Sequence, residues 1–150
     1  MLKALPDSWF SWNFTIFDER SAVAKIDLAW VREAGELHVD GSSYRVYREG
    51  LLNGAFILEK EGAEIARAEK PGILFRSFKV ESGGKIFMVD AESALGRKFV
   101  LSEGGQTLGS VQPEHALTRR AIVDLPEDIA LPVRIFIVWL ILILWKRDAE

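Results

Sequence analysis

A chain of 150 residues fits one domain, read as 1–150, and 49% hydrophobic against 27% charged residues is the balance of a folded globular protein. A formal net charge of −3 argues against a general nucleic-acid binder, which presents a basic surface, so no nucleic-acid partner is expected. The absence of cysteine removes disulfide frameworks, thiolate nucleophiles and cysteine metal sites together.

Residues 1–7, MLKALPD, lack the long apolar core of a signal peptide, and the expectation is a protein facing the cytoplasm. Trp9, Phe10 and Trp12 follow. An aromatic cluster of this kind suits either a membrane interface or the core and lid of a domain, and the large area a tryptophan buries favours the second.

A threefold echo is the most informative feature. Residues 14–26 read FTIFDERSAVAKI, 56–68 read FILEKEGAEIARA and 99–111 read FVLSEGGQTLGSV, with openings about 42 residues apart. In each, Phe begins an alternating run whose third position is Ile16, Leu58 or Leu101. After a polar centre, Val23, Ile65 or Leu108 precedes a small residue, Ala24, Ala66 or Gly109. Side chains at i and i+2 share one face of a strand, and Gly62 or Gly104-Gly105 supplies turn chemistry, so each copy is a predicted hairpin.

Between the copies, residues 37–39 and 44–47 flank Asp40-Gly41-Ser42, and residues 74–80 and 86–89 flank Ser82-Gly83-Gly84, giving two further hairpins. Residues 22–37 also admit a helix, with Val23, Ile26 and Trp30 at helical spacing, but their alignment with the two clearer hairpins favours strand. A last strand is expected at 118–125. Counted from Trp9, about eleven strands precede Pro126, the spacing of a sandwich or barrel. A propeller would need about four to eight blades, more than three copies provide.

Residues 135–145, IFIVWLILILW, carry no polar residue on any side. Pro132 suits a first helical turn and Lys146-Arg147 suit the negative end of the helix dipole, so a helix is predicted over 133–147. Arg134 sits in the unfavourable first turn and should reach solvent or the carboxylate of Glu127 or Asp128. Such a helix must be surrounded by protein or lipid. The uninterrupted run extends only about 16 Å, roughly half of the ~30 Å hydrocarbon layer, so burial in protein is the better fit. A barrel of more than about eight strands is hollow unless plugged. The expected fold is therefore mainly β: a closed antiparallel barrel of about 11–12 strands around a buried apolar C-terminal helix.

On these hairpin units and the ending AIVDLPEDIALPVRIFIVWLILILWK, the sequence resembles the tubby-like superfamily, which embraces the tubby C-terminal domain, the phospholipid scramblases and the LURP-one-related proteins. The resemblance implies a twelve-stranded barrel threaded by an apolar helix. It also implies a non-enzymatic binding module, cytoplasmic or peripheral to a membrane, that recognises phospholipid or phosphoinositide head groups at the barrel exterior. A monomer without cofactor is expected. Neither a tubby-type phosphoinositide site nor a scramblase calcium site has a residue-by-residue counterpart, and Pro126 and Pro132 bracket the acidic turn in a way not expected of every member.

Arg97-Lys98 and Arg119-Arg120 are the best basic doublets, with Arg76, Lys79 and Lys85 as scattered additions. Because anionic lipid attracts clustered Lys and Arg, Arg97, Lys98, Arg119 and Arg120 are the candidate lipid- or anion-binding residues. Strand alternation puts the members of a doublet on opposite faces, which favours a solvated surface instead. His38 and His115 are the only histidines, on separate hairpins and without a Ser/Asp or metal-ligand motif, so no catalytic residue is nominated. Asp124, Glu127 and Asp128 precede the helix, where carboxylates stabilise its positive end, and they lack the about six to eight oxygens of a calcium site. Gly83-Gly84-Lys85 lacks phosphate-loop spacing and reads as a turn. Two other functions stand beside lipid binding: a structural or protein-interaction barrel with no small ligand, and a tail-anchored or scramblase-like protein inserted through the C-terminal segment.

Overall fold

Strands that alternate apolar and polar residues need something to cover their apolar face. The computed structural model, which describes residues 1–28, 33–50, 54–71 and 76–149, shows what does so. Twelve strands among the described residues close into one antiparallel barrel, and α1 (Leu131–Ala149) fills its axis. The expected fold class holds.

The threefold echo is the plan of the wall. The first repeat is β2 (Phe14–Asp18), β3 (Ser21–Leu28), β4 (Ala34–Val39) and β5 (Ser42–Arg48). The second is β6 (Phe56–Lys60), β7 (Ala63–Glu69), β8 (Ser77–Ser82) and β9 (Lys85–Ala91). The third is β10 (Phe99–Glu103), β11 (Gln106–Pro113) and β12 (Ala121–Asp124), completed by β1 (Leu2–Pro6), which pairs with β12 and closes the barrel against β2. At the same place in each repeat the ladder slips: between Ile16 and Phe17, Leu58 and Glu59, and Leu101 and Ser102. Just before the slip a large inward residue pairs with a small one, Ile16 with Ala24, Leu58 with Ala66 and Leu101 with Gly109. The bulge bends the wall, and the small partner leaves room at the axis. At Gly109 the wall itself also demands glycine, because a Cβ there would lie 2.1 Å from the Asp124 carbonyl oxygen of the neighbouring strand.

Residues 22–37 form parts of β3 and β4 and not a helix, with 29–32, including Trp30, outside the described residues. Leu74 and Phe75 of the expected 74–80 strand also lie outside them, and β8 begins at Ser77. The last strand is shorter than expected, since Thr118, Arg119 and Arg120 belong to a loop. The strand missing from a count begun at Trp9 is β1.

The helix extends beyond the expected 133–147 at both ends, and its residues 135–145 are all buried. Phe14, Phe56, Phe78 and Phe99 of the wall are buried in one core with Phe136 and Trp139 of the helix. Trp139 stands edge-on to Phe56 at 5.8 Å and is stacked on Phe136 at 5.9 Å. Each such side chain contributes about 1.5–3 kcal/mol by leaving water, so the helix is the core as much as its plug. Its indole N–H is the buried side-chain donor without a partner among the described residues. Arg134 escapes the dipole conflict by donating from Nε to the Ile129 carbonyl at 2.8 Å, not by reaching Glu127 or Asp128. No helix among the described residues is long and apolar enough to cross a membrane.

The strands reverse differently at the two ends. At one end they turn at Glu19-Arg20, Asp40-Gly41, Glu61-Gly62, Gly83-Gly84 and Gly104-Gly105. Gly83 and Gly84, with φ of 57° and 79°, form a left-handed two-residue turn into a strand, which disposes of the phosphate-loop likeness. The other end carries longer connections, of which 7–13, 92–98 and 114–120 lie wholly among the described residues. The helix enters from the turn end and finishes among these long loops.

Candidate functional site

Following each strand's inward alternation past the core brings basic residues to the long-loop rim. Arg48 follows buried Val46, and Lys70 follows buried Ala68; Arg76, Arg97 and Arg119 precede buried Phe78, Phe99 and Ala121 in the same phase. They form a cationic collar around the end of α1, where the helix dipole is negative and Lys146 and Arg147 stand in the last turn. Four collar arginines hold their guanidinium groups over aromatic rings. Arg48 lies over Phe56 at 4.9 Å, Arg76 over Phe99 at 5.4 Å, Arg97 over Trp145 at 5.1 Å and Arg119 over Trp12 at 5.4 Å.

Carboxylates offset much of this charge, with Asp7, Glu49, Glu69, Glu92 and Glu114 toward the outside of the same rim. Glu33 pairs with Arg48 at 3.4 Å and with Arg147, and Asp148 pairs with Arg76 at 3.3 Å. Burial pushes the half-buried Lys70 ammonium below the ordinary lysine range; Arg147, Arg48 and Arg76 push the same way and Glu33 the other. Burial also lowers the Arg97 guanidinium from its usual value.

Three collar arginines reach into the neighbouring loop and donate to its carbonyls. Arg76 serves Ser93 and Ala94 at 3.3 and 3.0 Å. Arg97 serves Thr118 and Ala116 at 2.6 Å and His115 at 3.3 Å. Arg119 serves Ser8 at 2.8 Å together with Trp9 and Ser11. Each of these loops is also closed at its base by a backbone bond of 2.9 Å: Asp7 N–H to Asn13 O, Glu92 N–H to Lys98 O and Glu114 N–H to Arg120 O.

The same three loops project large apolar side chains into solvent. Trp9 is 91% exposed, Phe10 88%, Leu95 96% and Leu117 95%. The loops are neighbours on the rim, since the barrel order runs β9, β10, β11, β12, β1, β2. Between loops 7–13 and 114–120 lies a half-open cleft of about 420 Å³, lined by Trp9 and Leu117 together with Ser8, His115, Arg119 and Arg120.

Strand alternation divides the sequence candidates. Arg97 and Arg119 take the inward phase and spend their guanidinium groups on loop carbonyls. Lys98 and Arg120 take the outward phase; Lys98 pairs with Glu92 at 3.0 Å, while Arg120 is exposed beside the cleft. Arg48, Lys70, Arg76 and Arg147 complete the collar. They stand singly or without a second basic residue in phase, and their common signal is a cation one alternation beyond a buried residue. Trp9 and Phe10 are not lid or core residues; Trp12 alone of the three turns inward, 6.2 Å from Phe14.

His38 has partners that spacing did not reveal. Its Nδ1 lies 3.1 Å from Ser43 Oγ and its Nε2 3.2 Å from Asp27 Oδ2, with Glu36 at 3.6 Å. The line of serine, histidine and carboxylate lies across β3, β4 and β5 on the outer wall, where backbone amides belong to the ladder. It lacks the directed donors that acyl transfer requires. Among the described residues no group of three or more His, Cys, Asp or Glu is placed to hold a metal ion. No family model matches the chain, and neither a curated protein nor a solved structure matches it.

Proposed function

We propose that the protein is a non-enzymatic binding module for anionic phospholipid surfaces, and that it binds through the long-loop rim. The observation that carries this reading is the coincidence at one rim of almost fully exposed Trp9, Phe10, Leu95 and Leu117 with a cationic collar. Apolar patches rimmed by charge mark interaction surfaces, aromatic residues favour the membrane interface, and each basic residue near an anionic leaflet adds about 1 kcal/mol of attraction. The turn end, with Asp18, Glu19, Asp40, Glu61, Glu103, Asp124, Glu127 and Asp128 against Arg20, Lys60 and Lys85, favours the opposite orientation. Kinship with the tubby-like superfamily belongs to the same proposal, supported by the twelve strands and the apolar axial helix. A cytoplasmic protein peripheral to the membrane fits it as well.

Co-sedimentation with vesicles tests the reading. Phosphatidylcholine vesicles with about one third phosphatidylserine should retain the protein, and pure phosphatidylcholine should retain it less. Indifference to both vesicles would leave the rim to a protein partner and defeat the lipid reading.

A further inference from the structure

We infer that loops 7–13, 92–98 and 114–120 pass through the head-group layer, so that Trp9, Phe10, Leu95 and Leu117 sit in the hydrocarbon edge of the bilayer. This rests on the phospholipid reading and adds a mode of binding to it.

The argument begins with the backbone. A loop entering lipid must satisfy its own polar groups, because hydrocarbon offers no water in exchange. Loops at a protein surface normally leave that task to solvent. In this protein the carbonyls of Ser8, Trp9, Ser11, Ser93, Ala94, His115, Ala116 and Thr118 are served by the guanidinium groups of Arg76, Arg97 and Arg119. The amides that open the loops, at Asp7, Glu92 and Glu114, are bonded across the loop base. The three loops with apolar tips thus each have several of their carbonyls capped by an arginine from the neighbouring strand end.

The choice of bilayer over protein follows from shape and charge. The exposed side chains stand on separate loop tips, whereas a protein partner requires a continuous, complementary surface. Below them the collar keeps its guanidinium groups on the loop carbonyls, and its positive charge attracts anionic head groups from there. The half-open cleft between two of these loops is lined by both apolar Trp9 and Leu117 and basic Arg119 and Arg120, the mixed lining a lipid's chain and head group require.

Fluorescence of the full chain on vesicles of phosphatidylcholine with about one third phosphatidylserine tests this, the lipids carrying bromine on their acyl chains. The contribution of Trp9 is isolated by subtracting the signal of Trp9→Phe, which keeps an aromatic side chain at the tip. Insertion predicts quenching of the Trp9 signal by chain bromines and binding that persists in about 1 M salt, where exposed charges are screened beyond about 3 Å. Leu117→Asp should weaken binding about tenfold or more. Vesicle binding that disappears in high salt, with Trp9 unquenched, overturns insertion and leaves the phospholipid reading standing. Failure to bind either charged or neutral vesicles overturns the phospholipid reading itself. A lipid-independent dimer dissociated by Leu117→Asp assigns the rim to a second copy and overturns both.

Discussion

The two ends of the barrel are built on opposite rules. The turn end reverses each strand in two residues, carries mostly acidic side chains and exposes Met1 and Ile86, the latter only half, near its tips. The long-loop end spends seven residues each on 7–13, 92–98 and 114–120, projects Trp9, Phe10, Leu95 and Leu117 outward and gathers arginines within. Folding alone accounts for the first end, since tight left-handed turns are the shortest way to join twisted strands. It does not account for the second, because placing large apolar side chains in water forfeits the burial that stabilises the rest. The difference teaches that the rim is shaped for something besides the fold, and substitutions at each end should separate stability from binding in different ways.

The largest effect is expected at Glu33, which accepts from both Arg48 and Arg147 and so ties the end of α1 to the wall. Glu33→Gln removes the shared charge and leaves two guanidinium groups incompletely paired. Urea unfolding should register a loss of about 1–3 kcal/mol. At the same time the rim gains a unit of positive charge, so the variant that remains folded should bind anionic vesicles more tightly in low salt. Equal or weaker vesicle binding at full folding would remove the collar from the binding surface.

The helix and hairpins were legible because they are local patterns: an apolar run in 135–145, and alternation with turns in the three repeats. β1 was not, since its five residues acquire meaning only by pairing with β12 at the far end of the chain. The collar was hidden for a different reason. Arg97-Lys98 and Arg119-Arg120 drew attention as adjacent pairs, yet in strand phase the neighbours of Arg97 are Arg48, Lys70, Arg76 and Arg119, each contributed by a different strand end. Likewise Trp9 and Phe10 read as core by composition, and their exposure depends on which end of a closed barrel their loop occupies.

Lys70 gives the next effect. The unfolded chain titrates at the ordinary lysine value of 10.5, while burial and then Arg147 and Arg48 hold the folded pKa below it. Below that lowered value both states are protonated and the folded state bears the whole penalty. Between the two values the unfolded chain binds more protons, so the stability contribution of Lys70 improves as pH rises toward 10.5. Lys70→Met should therefore stabilise the protein by about 0.5 kcal/mol at neutral pH, a figure kept small because solvent screens a half-exposed group. It should flatten that alkaline rise in denaturation experiments, and weaken binding to anionic vesicles severalfold. A gain in stability paired with a loss of binding is the mark of a group kept for function. A gain in stability with binding intact would make Lys70 an incidental passenger of the rim.

The smallest effect belongs to the turn end and serves as the control for Lys70. Glu61 holds φ at 51° in a left-handed turn with Gly62, a conformation that asparagine tolerates better than glutamate. Glu61→Asn should raise stability by about 0.5 kcal/mol or less, read as a shift in denaturation midpoint at unchanged slope. Because Glu61 lies a barrel length from the collar, beyond the screening distance of about 8 Å at physiological salt, vesicle binding should not change. Two substitutions of similar stabilising size would then part company, one losing binding at the rim and the other keeping it at the turns. Loss of binding in Glu61→Asn would show that the acidic end takes part in recognition, and the division of labour between the two ends would fail with it.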